Sequence, residues 1–355
     1  MASSLRRLGA VSLAALLLPS AAFAAGSLQS WAQPQIKLVT RQGIFPGTPS
    51  TFQGSADLTQ GALTEALARL TGTPAAAPED PSAPISLEEL DRSLVRTLGL
   101  QDAAYRFYLA AWQAGISPPR RFGTEVVARL LGLRLNHPAG HDDLELQPQQ
   151  TATRAEAAYS FAQILRFGDG GRPQWSDARD TSSAATTVDF AASWQVEQVK
   201  EAAQTFALPT LTSWQRRIIA AAFSYVGYPY VWGGTGGASA GYDCSGFVWQ
   251  VYKLTAYPSE GDLAGALRGR TTMAMSGEVP RNERIPIAQL EPGDVMFFGR
   301  GPHSKPAQVD HAAIYLGDDW LVQSSGEGVT LAPFDGWYKS SFAWARRPLA
   351  EAGLD

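Results

Sequence analysis

The chain has 355 residues, enough for two or three domains at about 100–200 residues each. Apolar residues make up 45% and charged residues 17%, a globular balance that excludes a charge-rich disordered chain. The formal net charge of −4 gives no basic surface excess, so nucleic acid is not an expected partner, and the single cysteine, Cys244, excludes an intramolecular disulfide framework or a cysteine-rich metal site.

The N-terminus reads as a targeting segment. Arg6 and Arg7 precede an apolar run over residues 8–18, and Ala22-Phe23-Ala24 follows as a small-residue cleavage signal. This order predicts a secretory signal peptide over residues 1–24 and a mature chain beginning at Ala25, secreted and associated with the cell envelope or wall. The apolar run is too short for a stable bilayer span, so no membrane span is expected after cleavage. An exported chain with one unpaired thiol must tolerate that thiol or use it.

Residues 25–180 read as a mainly helical domain with a weak internal repeat. Apolar residues recur at helical spacing over 58–70, 85–100 and 151–167. Ser86 is an expected N-cap, with Glu89 at the reciprocal position of a capping box. Gly43-Ile44 and Gly115-Ile116 precede the first and last of these helices. His137 and His141 stand four apart beside Asp142 and Asp143. Pro138 and Gly140 intervene, however, and break any helix that would bring the two rings to one face. A solvated loop is expected there, not a metal site. A helical linker is expected over 181–212.

Within that region, Ala152-Thr153-Arg154-Ala155-Glu156 resembles the signature of S-layer homology repeats. The resemblance covers residues 31–170. It implies three helical pseudo-repeats that bind a secondary cell-wall polymer; the alternative is a generic helical spacer.

Residues 213–355 read as a second domain of α+β class. A helix over 213–227 leads to a Gly-rich loop and a second short helix. Five strand-like segments follow, over 294–299, 311–317, 320–325, 329–334 and 342–348, in the order expected of an antiparallel sheet of five or six strands. Cys244 opens the second helix, with Phe247, Val248, Val251 and Leu254 on its inner side. A helix N-terminus stabilises a thiolate, so a lowered thiol pKa is expected. The preceding glycines are expected to let a substrate backbone approach, and Trp232 is expected in the core.

A thiolate nucleophile needs an imidazole partner to hold the proton and return it to the leaving amine. His311 starts a strand and is the expected base. His303 is its rival, in a loop with two prolines. A hairpin centred on Gly317 would place Gln323 directly across from His311, where its amide could fix the imidazole tautomer.

Four ordered blocks then become recognisable. They are Tyr230-x-Trp232-Gly233-Gly234, Asp243-Cys244-Ser245-Gly246, Pro292-Gly293-Asp294-Val295-Met296-Phe297-Phe298 and His311-Ala312-Ala313-Ile314-Tyr315-Leu316-Gly317. With Arg270-Thr271-Thr272 in place of an Arg-Thr-Ser loop, residues 215–348 resemble the NlpC-type cysteine peptidases, papain-like endopeptidases of the cell wall. The resemblance implies a Cys244–His311 dyad whose third member, most often histidine, is here Gln323. It also implies substrate contacts at Tyr230, Asp243 and Ser245. The implied substrate is the γ-D-glutamyl–diamino acid amide of peptidoglycan stem peptides, with no metal or organic cofactor. Two other readings are a wall-anchored binding protein with a degenerate peptidase domain and a related cysteine amidase or acyltransferase.

Overall fold

The computed structural model describes residues 31–355 except 75, 139, 168–192, 238, 239, 259–262 and 355. The expected signal peptide over 1–24 and the first part of the expected linker lie outside the described residues.

In the N-terminal half, α1 (Gln33–Arg41), α2 (Gln60–Thr71), α3 (Leu87–Thr97), α4 (Gln101–Gln113), α5 (Phe122–Leu130) and α6 (Arg154–Leu165) follow the apolar periodicity of the sequence. The three repeat helices share one start. Thr59, Ser86 and Thr153 are the N-caps of α2, α3 and α6, and each hydroxyl accepts the backbone N–H three residues on, at 3.3, 3.3 and 3.2 Å. Glu89 completes the capping box, its carboxylate accepting Ser86 N–H at 2.8 Å.

The residues just before these caps close a ring. Leu58 N–H donates to Ala152 at 2.7 Å, Ala152 N–H to Ile85 at 2.9 Å, and Ile85 N–H to Leu58 at 3.1 Å. Three segments far apart in sequence thus satisfy one another's main chain at a single buried point, which gives the weak sequence repeat a pseudo-threefold structural counterpart.

In the C-terminal half, α7 (Trp194–Thr205) and α8 (Ser213–Ser224) precede α9 (Cys244–Trp249), which continues with π-type pitch over Gln250–Leu254. Short helices α10 (Leu263–Ala266) and α11 (Thr272–Gly277) lead into β1 (Val295–Phe298), β2 (His311–Gly317), β3 (Trp320–Ser325) and β4 (Gly328–Pro333). Then come α12 (Gly336–Ser341), β5 (Phe342–Arg346) and α13 (Pro348–Glu351). The five strands form one antiparallel sheet in the order β4-β3-β2-β1-β5.

Both faces of the sheet are covered, which is why β1 is a continuous apolar run and not an alternation. Val295 and Phe297 face the main core, while Met296 and Phe298 face a second cluster with Leu321, Phe334 and Phe342. The main core runs without a break from Ile36 in α1 to Leu331 in β4. Phe206, just after α7, packs its ring 5.1 Å from Phe107 and 5.0 Å from Trp320, joining the helical half to the sheet. Among the described residues, no helix is long and apolar enough to cross a membrane.

His137 departs from the expected solvated loop. It is buried, with Nδ1 3.2 Å from Glu145 and Nε2 3.0 Å from Glu156. Burial opposes its charge, but the two carboxylates prevail and push its pKa up to about 9, so it is a fixed cation. Arg134 lies beside it, 2.5 Å from the buried carboxylate of Asp91. His141 is exposed, as a loop residue should be.

Candidate active site

Cys244 is placed by the turn before it. Asp243 caps α9, its Oδ1 accepting Gly246 N–H, and main-chain hydrogen bonds from Tyr242 to Pro229 and from Val231 to Tyr242 bring the chain to that cap. Two glycines here are required by the protein's own backbone. A Cβ on Gly246 would lie 1.8 Å from the Gly234 carbonyl oxygen, and one on Gly241 would lie 2.0 Å from that of Pro229. Neither position tolerates a side chain.

The thiol is 7% exposed. It lies against the main chain around His311, with Sγ 3.9 Å from the Asp310 carbonyl. Burial, with the nearby Asp243 carboxylate, pushes its pKa up to about 11, against the opposing pull of the N–H groups of Ala312, Ser245 and Cys244. The expected lowering is therefore reversed. Desolvation of the thiolate outweighs the pull of the N–H groups at the helix start.

His311 sits at the first position of β2. Burial pushes its pKa down, partly offset by the hydrogen bond to Gln323. Nε2 is 2.5 Å from Gln323 Oε1. An amide oxygen only accepts, so Nε2 carries the hydrogen and Nδ1 keeps its lone pair. The ring is enclosed by Phe298, at 5.7 Å between centroids, and by Trp337, at 6.2 Å. Gln323 is 1% exposed, and its amide nitrogen donates to Tyr338 Oη and to Ser325 Oγ, the latter at 3.4 Å.

The expected register was off by two residues. Gln323 stands across from Ala313, not His311, because Asp318 and Asp319 form a tight turn, at φ 47° and 59°, that pairs Gly317 with Trp320, and an irregularity between Tyr315 and Gly317 takes the register back by one. A slip of two keeps every side chain on its face, so Gln323 still reaches His311 diagonally. His303, the rival base, is exposed in its loop.

The structure gathers Asp243 and Ser245 into one knot with Arg270. Ser245 Oγ donates to Asp243 Oδ1 at 2.8 Å and accepts from Arg270 Nη1 at 2.8 Å, while Arg270 Nη2 reaches Asp243 Oδ2 at 3.4 Å and the Gly233 carbonyl at 3.1 Å. Arg270 is the residue that the sequence reading left without a role; its position in the Arg-Thr-Thr block was the available signal. Tyr230 is half-buried. Burial and then the Cys244 and Asp243 charges push its phenol well up, so it remains a neutral donor. Trp232 is not in the core: it is 81% exposed. Trp337, which packs on the imidazole, and Tyr338, which accepts from the Gln323 amide nitrogen, had no sequence signal of their own.

The helical half touches these loops directly. Tyr230 N–H donates to Asn136 Oδ1 at 3.3 Å, Asn136 N–H to the Gly326 carbonyl at 2.9 Å, and Gln147 Nε2 to the Ala240 carbonyl at 3.1 Å. Arg129 of α5 donates to the carbonyls of Gly227 and Glu327.

Compared with known proteins, residues 227–347 match the NlpC/P60 family. A probable endopeptidase of Mycobacterium tuberculosis is 34% identical over 113 residues, which are 32% of this chain and 24% of the relative. A gamma-D-glutamyl-L-lysine dipeptidyl-peptidase of Bacillus cereus is 32% identical over 129 residues, 35% of this chain and 34% of the relative. The matched segment therefore spans about a quarter to a third of the length of these curated relatives. A solved NlpC/P60 family protein from Bacillus cereus is 27% identical, with 40% of this chain and 42% of that chain covered at a TM-score of 0.32.

Proposed function

Residues 227–347 form an NlpC/P60 family domain, and on that premise we propose that the chain is an exported peptidoglycan hydrolase using Cys244 as its nucleophile. It cleaves the amide between γ-D-glutamate and a diamino acid in stem peptides. The observation that carries this reading is the convergence of a buried thiol, an imidazole with a free Nδ1, and an amide that fixes that tautomer.

In the free protein both partners of the dyad are neutral, since burial raises one pKa and lowers the other. Substrate binding brings a carbonyl to Sγ. As the S–C bond forms, the thiol proton passes to His311 Nδ1, and Gln323 Oε1 steadies the imidazolium through Nε2–H. His311 then protonates the leaving amine of the diamino acid. The C–N bond breaks and a thioester remains on Cys244. Water, deprotonated by the same imidazole, hydrolyses the thioester and frees the glutamyl carboxylate.

The Asp243–Ser245–Arg270 knot offers a carboxylate and a hydroxyl to a substrate amine at the edge of the site, with Tyr230 as a neutral donor beside it. The helical half, with its three capped repeat helices, serves as the wall-binding module and takes a secondary cell-wall polymer as partner. On this reading the domain limits are 25–180, a linker over 181–212, and 213–355.

Defined stem peptides, incubated with the enzyme and followed by mass spectrometry, test the activity. Products split between the γ-glutamyl residue and the diamino acid are expected. Cleavage at any other bond, or none, overturns the assignment. The full-length Cys244→Ala protein should co-sediment with purified walls and lose that retention when the secondary polymer is stripped. If it stays in the supernatant with intact walls, the helical half is a spacer.

A further inference from the structure

Gln323 is uncharged, yet the network behind it does not end there. Its amide nitrogen donates to Ser325 Oγ at 3.4 Å, and Ser325 Oγ–H donates to Glu327 Oε2 at 2.6 Å. An ionised carboxylate only accepts, so the Ser325 hydroxyl must spend its single hydrogen on Glu327. Toward Gln323 it can then only accept, which requires the NH2 end of the amide to face Ser325. The oxygen end is thereby turned to His311, and His311 must carry its hydrogen on Nε2. Every proton in this line is ordered by the one group at its end that cannot donate.

We propose that Glu327 is a positioning residue for the imidazole: through Ser325 and Gln323 it selects the Nε2–H tautomer of His311 and so keeps Nδ1 free as the base. The idea rests on the hydrolase reading for its purpose, but not for its test. The relay is held at a defined place. Glu327 sits in the β3–β4 turn, where Arg129 of the helical half donates to its carbonyl and Asn136 N–H takes the Gly326 carbonyl at 2.9 Å. The helical half thus anchors the turn that orders the catalytic ring.

Other titratable or charged groups surround His311, and of these only Tyr338, which takes the same amide nitrogen of Gln323, acts in the same sense as Ser325. Asp310 precedes it on β2, Cys244 approaches from α9, and Tyr338 of α12 binds the amide nitrogen of Gln323. The facing residue of β1 is Phe298, which has no proton to exchange. Glu327 and Asp310 both favour the imidazolium electrostatically.

Nitrogen NMR of the His311 ring in the full-length protein, assigned with His311→Gln, reads the tautomer without any substrate. The wild type should be held as Nε2–H above its titration. Ser325→Ala and Glu327→Ala should each shift the tautomer ratio toward Nδ1–H about three- to tenfold, the worth of one net hydrogen bond, and lower the pKa of the ring. Glu327→Asp keeps an acceptor-only group and should retain the wild-type ratio. Wild-type tautomer ratios in both alanine variants, with dispersed amide spectra showing them folded, would overturn the proposal. So would an effect in Glu327→Ala without one in Ser325→Ala. If stem peptides go uncleaved while the tautomer responds as expected, the relay stands and the hydrolase reading fails.

Discussion

Two histidines, one in each half of the molecule, are withdrawn from water to opposite effect, His137 buried and His311 half-buried. His137 in the helical half lies between the carboxylates of Glu145 and Glu156 and is held charged, its pKa pushed up to about 9. His311 in the sheet half lies between aromatic rings and an amide, and burial pushes its pKa down. The residue type is the same; the partner decides its use. Carboxylates make an imidazole a structural cation that keeps its proton. A neutral acceptor orients the ring yet leaves it able to take a proton and give it back, as a base must.

The comparison breaks most sharply under substitution. His311→Ala should lower turnover on stem peptides on the order of a thousandfold or more, since the proton acceptor and the donor to the leaving amine vanish together. Arg134→Ala in the helical half should leave the chemistry in place but cost about 3–5 kcal/mol of stability in denaturant melts, because Asp91 loses the cation that compensates its burial and Glu156 keeps only His137. Gln323→Ala should fall between these in character. The ring remains but is less well held, and turnover should drop about ten- to a hundredfold, or roughly 1–3 kcal/mol. Gln323→Glu would give His311 a partner of the His137 kind. The acid limb of its pH–rate profile should then move up by about one unit or more, which rate measurements across pH 4–8 would reveal.

Stability should respond to pH in a direction set by the helical half. Burial pushes Glu125 up to about 8, and its carboxylates push His137 up to about 9. The native state therefore keeps protons that the unfolded chain has released near pH 4–5 and 6.5, respectively. Their contribution is fully present below those unfolded values and is lost as pH rises toward 8 and 9. Denaturant midpoints should fall between pH 6 and pH 9, and Glu125→Gln should flatten part of that fall. A midpoint that rises over this window would contradict the assignment. At Cys244 the same logic predicts that iodoacetamide labelling of the free protein rises only in the alkaline range, toward the thiol value of about 11.

How much of this was readable in advance depended on the range of the forces involved. Strands β1 to β5 fell within a residue or two of their expected positions, because apolar runs and turn residues are local signals. The place of β5 beside β1, outside the meander, was not legible, since that pairing joins residues far apart in sequence. Ser86 and Glu89 were read correctly as a capping box for the same local reason. His137 was misread because its neighbours Pro138 and Gly140 are local, whereas Glu156, which holds it, arrives on α6. Leu254 was expected on the inner face of the Cys244 helix but is 53% exposed. The switch to π pitch over Gln250–Leu254 rotates it away, and no side-chain pattern announces that switch. Of the candidate site, the meeting of His311 with Gln323 and the place of Cys244 beside that strand were legible from chemistry and alternation. Tyr338, Arg129 and Asn136 were not, because each reaches its partner from a separate element.

The central claim is that Cys244 carries the acyl group between the two halves of the reaction. Acid-quenching the full-length protein during turnover of a defined stem peptide, followed by intact and peptide-level mass spectrometry, tests it directly. The account predicts a mass gain equal to the acyl fragment on the N-terminal side of the cleaved bond, confined to the peptide containing Cys244 and removed by hydroxylamine. Turnover without that adduct, together with undiminished hydrolysis by Cys244→Ala, would contradict it.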